Sequence, residues 1–157
     1  MFAEKLDFYR TLTAQAQALI ADETDLIANM ANLSALLFNE MPDLNWSGFY
    51  ILRQGELVLG PFQGKPACVR IPVGKGVCGT AVATGEIQLV KDVHEFPGHI
   101  ACDAASNSEI VLPVRLRGEI IAVLDIDSPS LARFDEADQQ GLAELVAVFE
   151  QRLEQTL

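Results

Sequence analysis

Positive charge is scarce in this chain: 11 lysines and arginines stand against 22 aspartates and glutamates, a formal net charge of -11. Nucleic-acid binding rests on cations that neutralise phosphates, so the deficit argues against a nucleic-acid partner. No apolar run approaches the ~20 residues that cross a bilayer. The opening residues, Met1 to Arg10, alternate charged and apolar side chains and lack the apolar middle of a secretory signal. The expectation is a cytoplasmic protein that engages neither membrane nor nucleic acid. Histidine occurs twice and cysteine three times. A reducing compartment has little use for static disulfides. Cys68, Cys78 and Cys102 are therefore buried fillers, metal ligands or reactive groups.

What is present is enough apolar material for an ordinary globule: half of the 157 residues are hydrophobic and none of the chain is low-complexity. Residues 3–21 carry a helical stripe through Leu6, Tyr9, Leu12, Ala16, Leu19 and Ile20. A second stripe, through Leu26, Ile27, Met30, Leu33, Leu37 and Phe38, stops before Pro42. The period then changes. Segments 46–53 and 56–63 read as strands joined at Gln54-Gly55, and 67–73 as a third. A glycine-rich stretch, 74–85, holds a short helix from about Val77 to Thr84, followed by a short strand at 87–90. Residues 91–108 form a long connection, and a connection of that length inside a compact domain is usually functional or mobile. Two apolar strands, 109–116 and 119–127, meet at Arg117-Gly118. Asp135 can cap a closing helix that runs to about Leu153, with Asp138 in its first turn. The order predicts one α+β domain over residues 1–157: helices at about 3–41 and 135–153 packed on a mostly antiparallel sheet at about 46–128.

Strand parity selects candidate site residues. On 119–127, Ile121, Val123, Asp125 and Asp127 share one face, so two carboxylates emerge side by side at the strand end. Such a pair attracts an ammonium group or holds a proton between its members. Glu109 opens the preceding strand and can lie near them across the ladder. On 46–53, Trp46, Gly48 and Tyr50 share a face, and the glycine leaves a notch between two rings that suits a small ligand. Gly74 to Gly79 fits GxGxxG, but Gly85 cuts the following helix short of a dinucleotide fold. What survives is a helix start whose backbone N–H groups suit one carboxylate.

The cysteine spacing is poor for zinc: Cys68 and Cys78 lie ten apart, and His94, His99 and Cys102 are loosely placed. Three thiols on glycine-rich or flexible segments around a pocket favour redox chemistry. By charge and helix dipole, Cys78 beside Lys75 is the expected low-pKa thiolate. Cys102 has His99 nearby but also Asp103, which opposes ionisation.

The runs Trp46-Ser-Gly-Phe-Tyr50, Gly60 to Cys68, Gly76-Val-Cys78-Gly-Thr-Ala81 and Val123-Leu-Asp125-Ile-Asp127-Ser128 resemble the free methionine-(R)-sulfoxide reductases, single-domain proteins of the GAF fold. The resemblance covers about Asn45 to Glu150, and the N-terminal helices fit it. It implies that Cys102 is the catalytic nucleophile, Cys68 the main resolving cysteine and Cys78 an additional thiol. It implies that Glu109, Asp125 and Asp127 surround the substrate, and that Trp46 and Tyr50 line the slot for its methyl end. It further implies a cycle through a cysteine sulfenic acid and a disulfide reset by thioredoxin or another dithiol, with Glu109 as proton donor. No metal or organic cofactor, a homodimer, and preference for the R epimer are expected on the same ground. The competing expectation is a GAF-type module that binds a small molecule without chemistry. It is disfavoured by a length that leaves no room for an output domain, and Cys102→Ser separates the two.

Overall fold

Two positive-φ pairs, Gln54-Gly55 and Arg117-Gly118, make the tight turns that fold the central strands into hairpins. The computed structural model describes residues 1–100, 102 and 104–157. Its strands are β1 (Trp46–Arg53), β2 (Glu56–Gly64), β3 (Arg70–Pro72), β4 (Gln88–Val90), β5 (Ser108–Leu116) and β6 (Glu119–Ser128). They form one six-stranded sheet in the order β3-β2-β1-β6-β5-β4, and every pairing described is antiparallel.

The helices are α1 (Phe2–Ile20), α2 (Leu26–Glu40), α3 (Gly76–Thr84) and α4 (Glu136–Thr156). Asp25 caps α2 by accepting from the Ala28 N–H at 2.8 Å. Asp135 caps α4 by accepting from the N–H groups of Ala137 and Asp138, and Asp138 returns the bond to the Asp135 N–H at 2.9 Å. Asp138 does a second job. Tyr9 donates to it at 2.7 Å and Lys5 reaches it at 2.7 Å, which clamps α1 onto the start of α4. Gly141 permits that approach, since a Cβ there would lie 2.2 Å from the Tyr9 ring.

One sheet face carries the main core. Phe49, Ile110, Leu112, Ala122, Leu124 and Ile126 pack there against Leu12, Met30, Leu33, Leu142 and Phe149 of the helices. Each such side chain contributes roughly 1.5–3 kcal/mol by leaving water. The other face carries a smaller cluster of Trp46, Tyr50, Leu57, Ile71, Val77, Cys78, Val111 and Val123 under α3. The functional candidates sit in this second layer.

Several expectations need correction. Only Arg70–Pro72 of the predicted strand at 67–73 pairs with β2. The chain at Cys68 is instead drawn off the ladder by Tyr50, whose hydroxyl donates to the Cys68 carbonyl at 2.9 Å. Ile121 joins the helix-side core rather than the face of Val123, because the β5–β6 register slips between Val114 and Arg115. The notch expected above Gly48 is filled: a Cβ there would fall 2.3 Å from the Phe62 Cβ, so the glycine serves strand packing. Among its described residues, the long connection at 91–108 holds one short 3-10 turn, Val93–Glu95, and gives its last residue, Ser108, to β5. Asp103 lies outside the described residues.

Candidate active site

Ladder register builds the site. Glu109 of β5 lies opposite Asp127 of β6, which lies opposite Trp46 of β1. Two residues along, Val111, Asp125 and Gly48 form the next row, and Val123 pairs with Tyr50 in the third. Because side chains alternate, Glu109, Asp125, Asp127, Trp46 and Tyr50 all project to the α3 side of the sheet. The sequence placed the two aspartates together, and the register adds Glu109 beside them. Cys78, in the first turn of α3, completes the group: its Sγ and carboxylate oxygens of Glu109 and Asp125 lie within 4.8 Å of one another.

Two buried carboxyls, Glu109 and Asp125, and the half-buried Asp127 lie side by side and cannot all ionise cheaply. Burial, and then the charge of Asp127, pushes the Glu109 carboxyl well above the usual range. Burial and the neighbouring Glu109 do the same to Asp125, and burial and Asp125 do so to Asp127. Ser106 donates to Asp127 and partly offsets that rise. One oxygen of each aspartate, Oδ1, has no hydrogen-bond partner among the described residues.

The same environment overturns the expectation for Cys78. Its helix N-terminus and Lys75 were expected to stabilise a thiolate. Instead the thiol is fully buried, and burial, followed by the three carboxyls, pushes it well above its ordinary value. Lys75 is exposed, and the charges that act on the thiol are those of Asp125, Glu109 and Asp127. The remaining cysteines are joined. Cys68 and Cys102, 34 residues apart, form a disulfide with Cα atoms 5.4 Å apart, a normal span for such a bridge. Cys78 is left free.

Aromatic residues hold the Cys68 side in place. Trp46 stacks on Phe62 at 5.1 Å between ring centroids and on Tyr50 at 5.9 Å. The Trp46 indole donates to the Lys65 carbonyl at 3.1 Å, and the Tyr50 hydroxyl fixes Cys68. Burial and then the nearby Asp125 push the pKa of that hydroxyl well above the phenol range, so Tyr50 stays a donor.

Glu109, Asp125, Asp127, Ser106, Cys78 and Cys102 line one cavity of about 40 Å3, room for two or three waters. Trp46 and Tyr50 line it together with the carboxyls. Gly76, Val77 and Cys78, the first turn of α3, supply another part of the wall, and His99, Ile100 and Cys102 come from the long connection. Among the described residues, no side chain caps the N-terminus of α3. Sequence reading missed Ser106 as a site residue: it sits in an irregular segment where no periodicity marks an inward position. His99 lines the cavity, and burial lowers its proton affinity.

Cys78, Glu109 and Asp125 are the group of described residues whose spacing could hold a metal ion. They would have to give up protons that burial favours. The looser set of His94, His99 and Cys102 does not assemble: His94 bonds Asp92 at the surface at 3.0 Å, and Cys102 is in the disulfide.

Among the described residues, no helix is long and apolar enough to cross a membrane. Residues 28–154 match the GAF domain family model. The chain is 59 % identical over 152 residues to the free methionine-R-sulfoxide reductase of Escherichia coli, covering 97 % of this chain and 92 % of that protein. It is 41 % identical to the Saccharomyces cerevisiae protein of the same name, over 90 % of this chain and 83 % of the other. The solved structure of the Neisseria meningitidis free methionine-R-sulfoxide reductase in complex with its substrate superposes with a TM-score of 0.93. It is 47 % identical, covering 97 % of this chain and 92 % of that one.

Proposed function

The chain belongs to the GAF-domain free methionine-(R)-sulfoxide reductases, and from that premise we propose how its own residues reduce the substrate. The observation that carries the reading is the Cys68–Cys102 disulfide at the edge of a cavity lined by the three carboxyls Glu109, Asp125 and Asp127.

In the reduced protein, Cys102 attacks the sulfoxide sulfur as thiolate. The sulfoxide oxygen is a poor leaving group until protonated, and Glu109, held neutral by burial, donates that proton. The protonated oxygen then passes to the Cys102 sulfur as the substrate S–O bond and the transient bond between the two sulfurs break, so methionine leaves and Cys102 becomes a sulfenic acid. The Cys68 thiolate then attacks the Cys102 sulfur, the S–O bond breaks, and the oxygen departs as water after taking a second proton. The sulfoxide has gained the two electrons that the two thiols lost. A dithiol such as thioredoxin restores both cysteines by exchange. Thiols and a carboxylic acid supply every step, so the mechanism requires no metal or organic cofactor.

Specificity for the free amino acid follows from the two ends of the cavity. The unpartnered oxygens of Asp125 and Asp127 suit the substrate ammonium. The uncapped first turn of α3 suits its carboxylate. A peptide-bonded residue carries neither charge and would leave those groups unpaired. Trp46 and Tyr50 receive the methyl end. Equal turnover of a methionine-sulfoxide peptide and the free amino acid would sink this account. The assembly proposed is a homodimer, which sedimentation equilibrium tests.

The deciding experiment follows NADPH oxidation coupled to thioredoxin with free L-methionine-(R)-sulfoxide, for the wild type and each cysteine-to-serine variant. Turnover is expected to vanish for Cys102→Ser even in a single cycle. A Cys102→Ser protein that still releases methionine would overturn the assignment.

A further inference from the structure

Resting on the disulfide cycle above, we propose that the protein dithiol that resets it docks on the basic surface of residues 65–75 and attacks Cys68, not Cys102.

Both cysteines are half-buried, and their position relative to the cavity separates them. Cys102 lines the substrate cavity beside Glu109, Asp125 and Asp127, whereas Cys68 does not line it. Cys68 instead lies within an exposed stretch: Lys65, Pro66, Val69, Arg70, Val73 and Lys75 all face solvent. A protein thiol can meet a sulfur on that surface without entering a 40 Å3 cavity.

Charge favours the same side. In a chain of net charge -11, residues 57–85 contain three basic residues and no acidic one. Arg70 shares its charge with Glu56 at 2.7 Å. Lys65 and Lys75 are exposed and have no carboxylate partner among the salt bridges described. The chain leading to Cys102 carries Asp92 and the exposed Glu95 against one lysine, Lys91. An incoming thiolate on an acidic protein is steered toward the Cys68 side and away from the Cys102 side. Two apolar side chains, Val69 at 60 % exposure and Val73 at 37 %, lie among the basic ones, giving the contact an apolar centre within a charged rim. The partner is therefore a dithiol protein with an apolar patch and acidic rim around its reactive thiol.

Rigidity favours it too. Residues 65–69 are pinned by Trp46 at Lys65, by Tyr50 at Cys68, and by the Leu59 N–H at the Val69 carbonyl at 2.9 Å. A fixed electrophile is the better docking target. The exchange then balances. The partner thiolate bonds to Cys68 Sγ, the Cys68–Cys102 bond breaks, and Cys102 leaves as thiolate in the form the next cycle needs. The second partner thiolate attacks its own first sulfur, which releases Cys68 as thiolate and the partner as a disulfide.

The test uses the oxidised full-length protein and a thioredoxin whose resolving cysteine is replaced by serine. Trapping, alkylation and peptide mapping are expected to place the mixed disulfide on Cys68, with Cys102 alkylated. A trap on Cys102 would overturn the proposal. In parallel, Lys65→Glu with Arg70→Glu is expected to lower kcat/KM for thioredoxin about tenfold and to flatten its salt dependence. Turnover supported by dithiothreitol should stay unchanged. Unaltered thioredoxin kinetics in this double variant would refute the docking surface. Failure of the reductase reading itself would show differently, as no methionine released when the reduced wild type meets substrate in a single cycle.

Discussion

Glu109 and Asp127 face each other directly across the β5–β6 ladder, Glu109 buried and Asp127 half-buried, on the α3 side of the sheet. Like charges opposite one another in a sheet are unfavourable. The arrangement is tolerable because the carboxyls keep protons, and Asp125 one row away extends the sharing to three groups. The destabilised pair is thus also the source of an acid that holds its proton above the ordinary carboxyl range.

Glu109→Gln keeps the shape and removes that acid. Single-cycle methionine release from the reduced protein is expected to fall about 10²–10⁴-fold, measured by rapid quench. The sign of the pH dependence follows from the raised carboxyl. Wild-type release should decline as pH climbs through the range where Glu109 finally ionises, and the variant should lose that decline. A variant within threefold of wild type would remove Glu109 from the proton-donor role.

Asp125→Asn should trade function for stability. A carboxyl whose pKa is raised by folding costs nothing at pH below its unfolded value near 4 and destabilises increasingly as pH rises toward its folded value. Each tenfold change in proton affinity corresponds to about 1.4 kcal/mol. The amide escapes this cost. The difference in Tm, variant minus wild type, is therefore expected to grow between pH 4 and pH 8 by about 3–10 °C, while KM for the free amino acid rises. Calorimetry at the two pH values checks the first, steady-state kinetics the second.

The cysteine roles separate cleanly. With Cys68 bonded to Cys102 and Cys78 free and buried, Cys68→Ser is expected to release one equivalent of methionine and then stall with thioredoxin. Cys78→Ser should continue to turn over, within about tenfold of wild type. The reverse order of effects would make Cys78 the resolving thiol.

Legibility in the sequence followed the range of the forces involved. Hairpin turns, the Asp135 cap and the shared face of Asp125 and Asp127 depend on neighbours a few residues away, and the pattern shows them. The Glu109–Asp127 pairing depends on ladder register, so the sequence allowed nearness and the fold supplies the partner. Cys78 misled for a related reason. Lys75 and the helix start are visible along the chain, whereas the burial and carboxyls that prevail come from β5 and β6. The Cys68–Cys102 bridge spans 34 residues, and the family resemblance, not the spacing, pointed to it. Ile121 changed face through a register slip no alternation can announce. Ser106, in an irregular segment, left no periodic trace.

The last prediction concerns the floor of the site. Gly48 brings β1 within touching distance of Phe62, and any Cβ would meet the Phe62 Cβ at 2.3 Å and its Cα at 2.8 Å. Backbone cannot yield as a flexible side-chain end would, so Gly48→Ala must part β1 from β2 where their register already slips. The expected loss of stability is about 1–3 kcal/mol. Phe62 stacks on Trp46, and Trp46 in turn holds the Lys65 carbonyl near Cys68. A shift at Gly48 therefore travels to the resolving cysteine while the three carboxyls keep their ladder positions. Methionine release in the first cycle should survive, and disulfide closure should slow. Trp46 is the chain's single tryptophan, so its fluorescence reports the displacement directly. An alanine variant with wild-type emission, stability and closure rate would show that the strands accommodate the methyl group elsewhere.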